Sequence, residues 1–186
     1  MRRWPTRPLG EIGEFVRGIS FEPKNLVEAG SAQSLACFRT KNVQTTLDDV
    51  DLIHIPRVFV KNDRQLVRAG DILISTANSN NVVGKCCFVP QLRYPATLDG
   101  FIAVLRVNKD RVRPRFIYYW RASPPLQERL RSLSRQTTNI SNLPLRDLAN
   151  EPAPTPPLPE QERIVKLLDE ADGLRKLCAQ SDLHDE

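Results

Sequence analysis

GDILISTANSNNVVGKCCFVP, Gly70–Pro90, carries the clearest strand signal in the chain. GDILIST is a short apolar run with β-branched residues, bounded by Gly70 and by the polar stretch Asn78–Asn81. VVGKCCFVP repeats that character on the far side, so the two segments predict a hairpin with its tip at Ala77–Asn81. Adjacent Cys86 and Cys87 would then point to opposite faces of one strand. A third run, GFIAVLRV from Gly100 to Val107, is almost continuously apolar. Such a strand belongs in the centre of a sheet covered on both faces.

Working outward, residues 9–21 (LGEIGEFVRGISF) read as a short turn followed by a strand, with Gly18 permitting a bend or a close backbone approach. Residues 35–39 (LACFR) form a short strand. Residues 51–60 (DLIHIPRVFV) are strand-like but interrupted by Pro56, which predicts an edge or two pieces. Helices follow. Pro114 suits the first position of RFIYYWRAS. Pro124 and Pro125 open a second helix, with Leu126, Leu130 and Leu133 at i, i+4 and i+7. The helical spacing of Phe116, Tyr119 and Trp120 favours core packing over a base-stacking platform. Residues 135–151 are polar and turn-forming, and EPAPTPPLPE predicts a stiff extended connector.

Residues 160–186 read as an amphipathic helix with Glu160 and Glu162 in its first turn, where the helix dipole favours acids. Ile164, Leu167, Leu168, Ala171, Leu174 and Cys178 line one stripe. Ile164, Ala171 and Cys178 take heptad a positions, and Leu167 and Leu174 take d positions. This stripe can cover the body of its own chain or pair with a helix from another. The expected organisation is a globular body over 1–150, a proline-rich connector over 151–159 and this terminal helix. The fold class is α/β (α+β): a mixed, curved sheet with flanking helices, followed by a spacer helix.

Charge is divided along the chain. Residues 151–186 carry nine acids against four bases, −5, so the first 150 residues carry +10 of a net +5. Of the 27 bases, 20 are arginine, the side chain suited to bidentate contact with phosphate and guanine edges. A basic body and an acidic amphipathic tail suggest that the body holds a polyanion and the tail holds protein. No apolar run approaches the roughly 18 residues of a membrane span. The N-terminus lacks an apolar signal segment, so an intracellular, cytoplasmic protein is expected. Four cysteines and two histidines do not form a zinc pattern, so buried thiols in a reducing compartment are expected. Neither a G-x-G-x-x-G nor a P-loop motif is found, and Asp48, Asp49 and Asp51 read as a solvated turn. No catalytic residue, metal ligand or cofactor is assigned.

Three segments in their order resemble one family. PTPPLPEQERIVKLLDEADGL (154–174), GDILIST and LGEIGEFVRGISF are similar to landmarks of target recognition domains in the specificity subunits of type I restriction–modification systems. The proline stretch leading into E-Q-x-R-I-V is the most specific of them, and the resemblance covers essentially the whole chain. It implies a non-catalytic DNA-binding subunit, directing methyltransferase and restriction subunits to a split target. It also implies that the helical stripe meets the methyltransferase subunit and a similar helix, a second copy of the chain being one source of that helix. A full-length subunit would carry two recognition domains and two helical regions; this chain has one of each. A protein-binding adaptor of a nuclease or methyltransferase complex, or an RNA-binding module, are the alternatives.

Three polar stretches are the expected contacts with double-stranded DNA. The first is Thr76, Asn78, Ser79, Asn80 and Asn81 at the hairpin tip, where asparagine can pair bidentately with adenine. The second is Arg135, Gln136, Thr137, Thr138 and Asn139, in a loop that the resemblance places near DNA. The third is Arg39, Lys41, Asn42 and Gln44. Lys85 and Arg93 are expected to hold phosphates, which positions a duplex without specifying sequence.

Overall fold

In a computed structural model, residues 4–79, 82–133, 135–136 and 141–182 are described. The centre is a four-stranded antiparallel sheet built on the two most apolar runs. Its order is β2 (Gly13–Arg17), β9 (Ile102–Val107), β5 (Ile72–Ser75) and β7 (Cys86–Phe88). Alternate residues of these strands enter two different cores, as the period of two demands. Ile72, Ile74, Cys86 and Leu105 pack toward Phe116, Ile117, Leu126 and Leu130 of the helices. Leu73, Cys87, Ile102 and Val104 pack toward Phe38, Val89 and Leu98. The sheet is therefore covered on both faces, which is why Gly100–Val107 is apolar at every position but Arg106 and the opening glycine.

The second layer is a small mixed sheet, β4 (Ile53–Pro56), β3 (Ser34–Phe38) and β8 (Ala96–Leu98). β3 pairs antiparallel with β4 and parallel with β8. β4 ends at Pro56 on the sheet edge and gives way to a 3₁₀ turn, Arg57–Phe59, so the proline does divide the 51–60 segment. The other layer is helical: α2 (Pro114–Ala122), with its proline at the helix start, and α3 (Pro124–Leu133). Phe116 is buried and Tyr119 and Trp120 pack against the same core, so the aromatic cluster is structural. The α/β class holds, with the strands shared among four sheets rather than one curved sheet.

Gly18 makes a close approach to chain rather than to ligand. A Cβ there would fall 1.9 Å from the Asp99 carbonyl oxygen. The contact lets Gly18 N–H donate to Ile102 (3.0 Å) and Ile19 N–H donate to Leu98 (2.9 Å), tying β2 to the turn before β9.

The proline segment is extended but not free. β12 (Pro152–Pro154) pairs with β1 (Thr6–Pro8), just before a one-turn helix, α1 (Leu9–Ile12). Prolines survive in this ribbon because it has only two strands, and each can leave its non-donating edge outside. α4 (Leu145–Ala149) precedes it. α5 then runs Leu158–Asp182, starting inside the expected connector, with Pro159 in its first turn, where no N–H partner is lost.

α5 divides between the body and solvent. Gln161 is fully buried at its start. Its Oε1 accepts from Arg113 N–H at 2.7 Å, and its Nε2 donates to Pro156 at 2.7 Å. That is a physical reason for a glutamine following the prolines: one amide caps α2 and fixes the connector. Glu162 accepts twice from Arg113 (2.8 and 2.6 Å), and Asp169 accepts from Arg115 (2.8 Å) and from the Tyr119 hydroxyl. Ile164 and Val165 pack on the body core. Farther along, Leu167, Leu168, Leu174 and Leu177 are exposed, Leu174 by 65%.

Candidate nucleic-acid interface

Two of the three polar stretches are joined by backbone pairing. β6 (Ala77–Asn78) continues beyond β5 and leaves the hairpin to pair with β11 (Ser141–Asn142), which in turn pairs with β10 (Arg135–Gln136). The register sets Ser141 opposite Asn78 and Asn142 opposite Ala77. Leu143, buried in the helical core, donates its N–H to Thr76 at 2.8 Å and anchors the small sheet. The expected tip at Ala77–Asn81 is thus a strand over its first two residues. Asn80, Asn81, Thr137, Thr138 and Asn139 lie outside the described residues, as do the side chains of Arg135 and Gln136.

The third stretch meets the same edge through a side-chain bond. The Lys85 ammonium, beside β7, donates to the Gln44 amide oxygen, and Gln44 Nε2 donates to the Lys41 carbonyl at 2.6 Å. Lys41 pairs with the Asp51 carboxylate, which its hydrogen bond holds below the usual carboxylate range. Arg39 donates to the Asp51 carbonyl at 3.2 Å. Asn78, Gln44 and Lys85 are half-buried and Ser79 and Lys41 exposed, so these groups have access to solvent.

Two expected contacts are corrected. Asn42 is fully buried; its Oδ1 accepts from Arg39 N–H at 2.8 Å and its Nδ2 donates to Val50 at 3.3 Å. Thr76 is buried too, and its hydroxyl donates to the Phe101 carbonyl at 3.0 Å. Both polar side chains close turns that support the edge, the common duty of Asn and Thr at such positions. Arg93 is exposed in the segment that follows β7, next to Tyr94, whose hydroxyl donates to Asp49 at 3.2 Å.

The edge rests on a turn bonded to the helical layer. Gly84, at φ +83°, closes the turn before Lys85. Its carbonyl accepts from Gln127 Nε2 at 3.0 Å and from Arg121 at 3.5 Å. Arg121 is completely buried, which pushes its pKa below the ordinary arginine value, and its Nε and Nη1 have no partner.

One exposed group escaped the sequence reading. Phe101 is 55% exposed although it opens the most apolar strand segment. Its N–H is held by the Asp99 carboxylate at 2.9 Å, and its carbonyl accepts from Thr76 and Ala77 N–H beside the edge. The Asp99-Gly100 dipeptide, a turn signal, was the clue that Phe101 precedes the buried strand. Burial pushes the Asp99 carboxyl up to about 6, against the lowering pull of the Phe101 N–H and Arg39.

No group of His, Cys, Asp and Glu that could hold a metal ion occurs among the described residues. Burial pushes Cys37 up to about 12 and also raises Cys86 and Cys87, leaving these thiols protonated and inert. Asp48, Asp49 and Asp51 are each engaged, by Val50 N–H, the Tyr94 hydroxyl and Lys41. Among the described residues, no helix is long and apolar enough to cross a membrane.

Residues 1–180 match the family model described as "Type I restriction modification DNA specificity domain". The chain is 27% identical over 169 residues to the type I restriction enzyme StySPI specificity subunit of Salmonella potsdam, covering 89% of this chain and 35% of that protein. It is 29% identical over 174 residues to the putative type I restriction enzyme MjaX specificity subunit of Methanocaldococcus jannaschii, covering 92% and 40%. The HsdS subunit from Thermoanaerobacter tengcongensis shares the fold, with TM-score 0.66 and 20% identity over 97% of this chain and 40% of that one. This chain thus spans about two fifths or less of these relatives.

Proposed function

We propose, for a chain that belongs to the family of type I restriction modification DNA specificity domains, that its body reads one element of a DNA sequence and contributes no chemistry of its own. The observation that carries this reading is the convergence of residues 77–79, 135–136 and 141–142, with Gln44 and Lys85, at one edge of a basic, arginine-rich body. Asn78 and Ser79 are suited to base edges, Lys85 and Lys41 to phosphate, and Arg39 to a DNA contact beside them. Arg135, Gln136, Thr137, Thr138, Asn139, Asn80 and Asn81 belong to the same proposal by their place in the chain. Arg93, exposed beyond β7, belongs to the same proposal as a phosphate contact.

The exposed half of α5 is proposed to receive protein: the methyltransferase subunit of a cytoplasmic restriction–modification complex that also includes a restriction subunit, or the matching helix of a second copy. A pair related by two-fold symmetry would read two identical elements in inverted order.

Selection from a randomised duplex pool tests the DNA reading. The full chain, with any methyltransferase subunit that co-purifies, should enrich one short element. The Asn78→Ala variant should enrich the same element with one position relaxed, each lost base contact costing about 1–3 kcal/mol. Enrichment of no duplex, or preferential capture of structured RNA in competition, would refute it.

A further inference from the structure

A pocket of about 390 Å³ lies behind the exposed ring of Phe101. Phe21, Leu26 and Ile53 supply apolar wall, and Arg39 and Asp99 supply the polar groups. That composition, mostly apolar with a few convergent polar atoms, is the usual make-up of a small-ligand site, and the volume is within the usual range of about 300–1,000 Å³.

Three features say what it takes. The first is Phe101 itself. A half-exposed phenyl ring has no packing duty that accounts for its being fixed, yet its backbone is held from both sides. Its N–H is bound by Asp99, and its carbonyl by the Thr76 hydroxyl and by the N–H groups of Thr76 and Ala77. The turn beneath cannot slide, because Gly18 touches the Asp99 backbone with no room for a Cβ. The second is Arg39. It lines the pocket, and its terminal nitrogen is engaged with Asp51, which holds the guanidinium in place beside Asp99. The third is location. The Phe101 carbonyl bonds the segment entering β6, so the Phe101 wall of the pocket adjoins the edge proposed to read DNA.

From this geometry we infer that the pocket receives one nucleobase unstacked from the bound DNA, with the Phe101 ring against its face and Arg39 and Asp99 toward its polar edge. A flat heteroaromatic ring with both donors and acceptors matches the exposed phenyl ring and the polar side chains of Arg39 and Asp99 together. The unpairing of one base is a cost of a few kcal/mol, offset by such stacking and edge contacts. This inference rests on the DNA reading above and adds to it one base position recognised outside the groove.

The test uses the full chain and the duplex recovered by selection. Phe101→Ala should lower affinity about 5- to 150-fold, the usual worth of one base–aromatic stack. Phe101→Tyr should keep wild-type affinity, and unfolding of both variants should match wild type. Each base is then replaced in turn by an abasic site. At one position the abasic loss and the Phe101→Ala loss should fail to add, because each removes the same contact. The slope of log affinity against log salt should not change, since no phosphate contact is removed. Wild-type affinity of Phe101→Ala, or additive losses at every position, overturns the pocket while leaving the DNA reading intact. Failure of wild type to select any duplex overturns both. Binding of free nucleoside monophosphate that Phe101→Ala abolishes, without coupling on DNA, would give the pocket to a free nucleotide and also overturn the inference.

Discussion

Arg106→Leu is expected to destabilise the body by about 3–5 kcal/mol, the cost of leaving a buried charge without its partner. Asp71 is almost completely buried at the start of β5, and Arg106 on β9 meets it with two parallel hydrogen bonds, Nε at 2.8 Å and Nη2 at 2.7 Å. The same guanidinium donates to the Arg64 and Leu66 carbonyls at 3.2 and 3.0 Å, and Asp71 also accepts from Arg68 N–H at 2.8 Å. One side chain therefore ties the central sheet to the 64–71 segment. Denaturant unfolding measures the loss. Adding Asp71→Asn to the variant removes the unpaired charge and should restore part of the stability. A loss below about 1 kcal/mol would place the pair among weak surface bridges instead.

Leu174→Glu should change the body's stability by no more than an ordinary surface substitution does, about 0.5 kcal/mol, and leave its melting temperature nearly unchanged. The same variant should abolish assembly through α5. Leu174 is 65% exposed and Leu167 53%, so neither contributes much to the chain's own core. In a proposed interface each would be buried, and glutamate would then be an unpaired charge at an apolar contact. A binding loss of tenfold or more is expected from about 1.4 kcal/mol upward. Ile164→Glu is the contrast: that side chain packs on the body, so this variant should lower the melting temperature. Sizing and melting on one sample separate the two effects. Lowered melting with unchanged assembly in Leu174→Glu would show that the outer half of the helix belongs to the body.

The sequence displayed the strands that bury themselves. β5 and β9 are long enough and apolar enough for their pattern to override local ambiguity, and Pro56 marked an edge because it lacks a donor. Segments defined only by their partners stayed hidden. β6, β10 and β11 have two residues each, too short for any period, and exist because distant stretches meet. β1 and β12 were masked by prolines that a two-stranded ribbon tolerates. The polar stretches of the candidate site were legible as stretches, but the identity of their working residues was not. Asn42 and Thr76 have the side chains of DNA readers and the burial of turn supports. Composition cannot separate those duties; only the position of the hydrogen-bond partner can. Phe101 was hidden for the opposite reason, since an apolar residue beside an apolar strand is expected inside. Gln161 stood in the most specific motif of the chain, yet its reason needed Arg113 and Pro156 in place.

The most direct test of the central claim is a salt titration of the full chain on duplex DNA. Log affinity should fall linearly with log salt, by about 0.9 for each phosphate contact. Lys85→Ala should reduce the steepness by about that amount and weaken every sequence alike. Affinity that does not change with salt, or a Lys85→Ala variant with the wild-type slope and altered sequence preference, would contradict a DNA interface at the edge where β6, Gln44 and Lys85 converge.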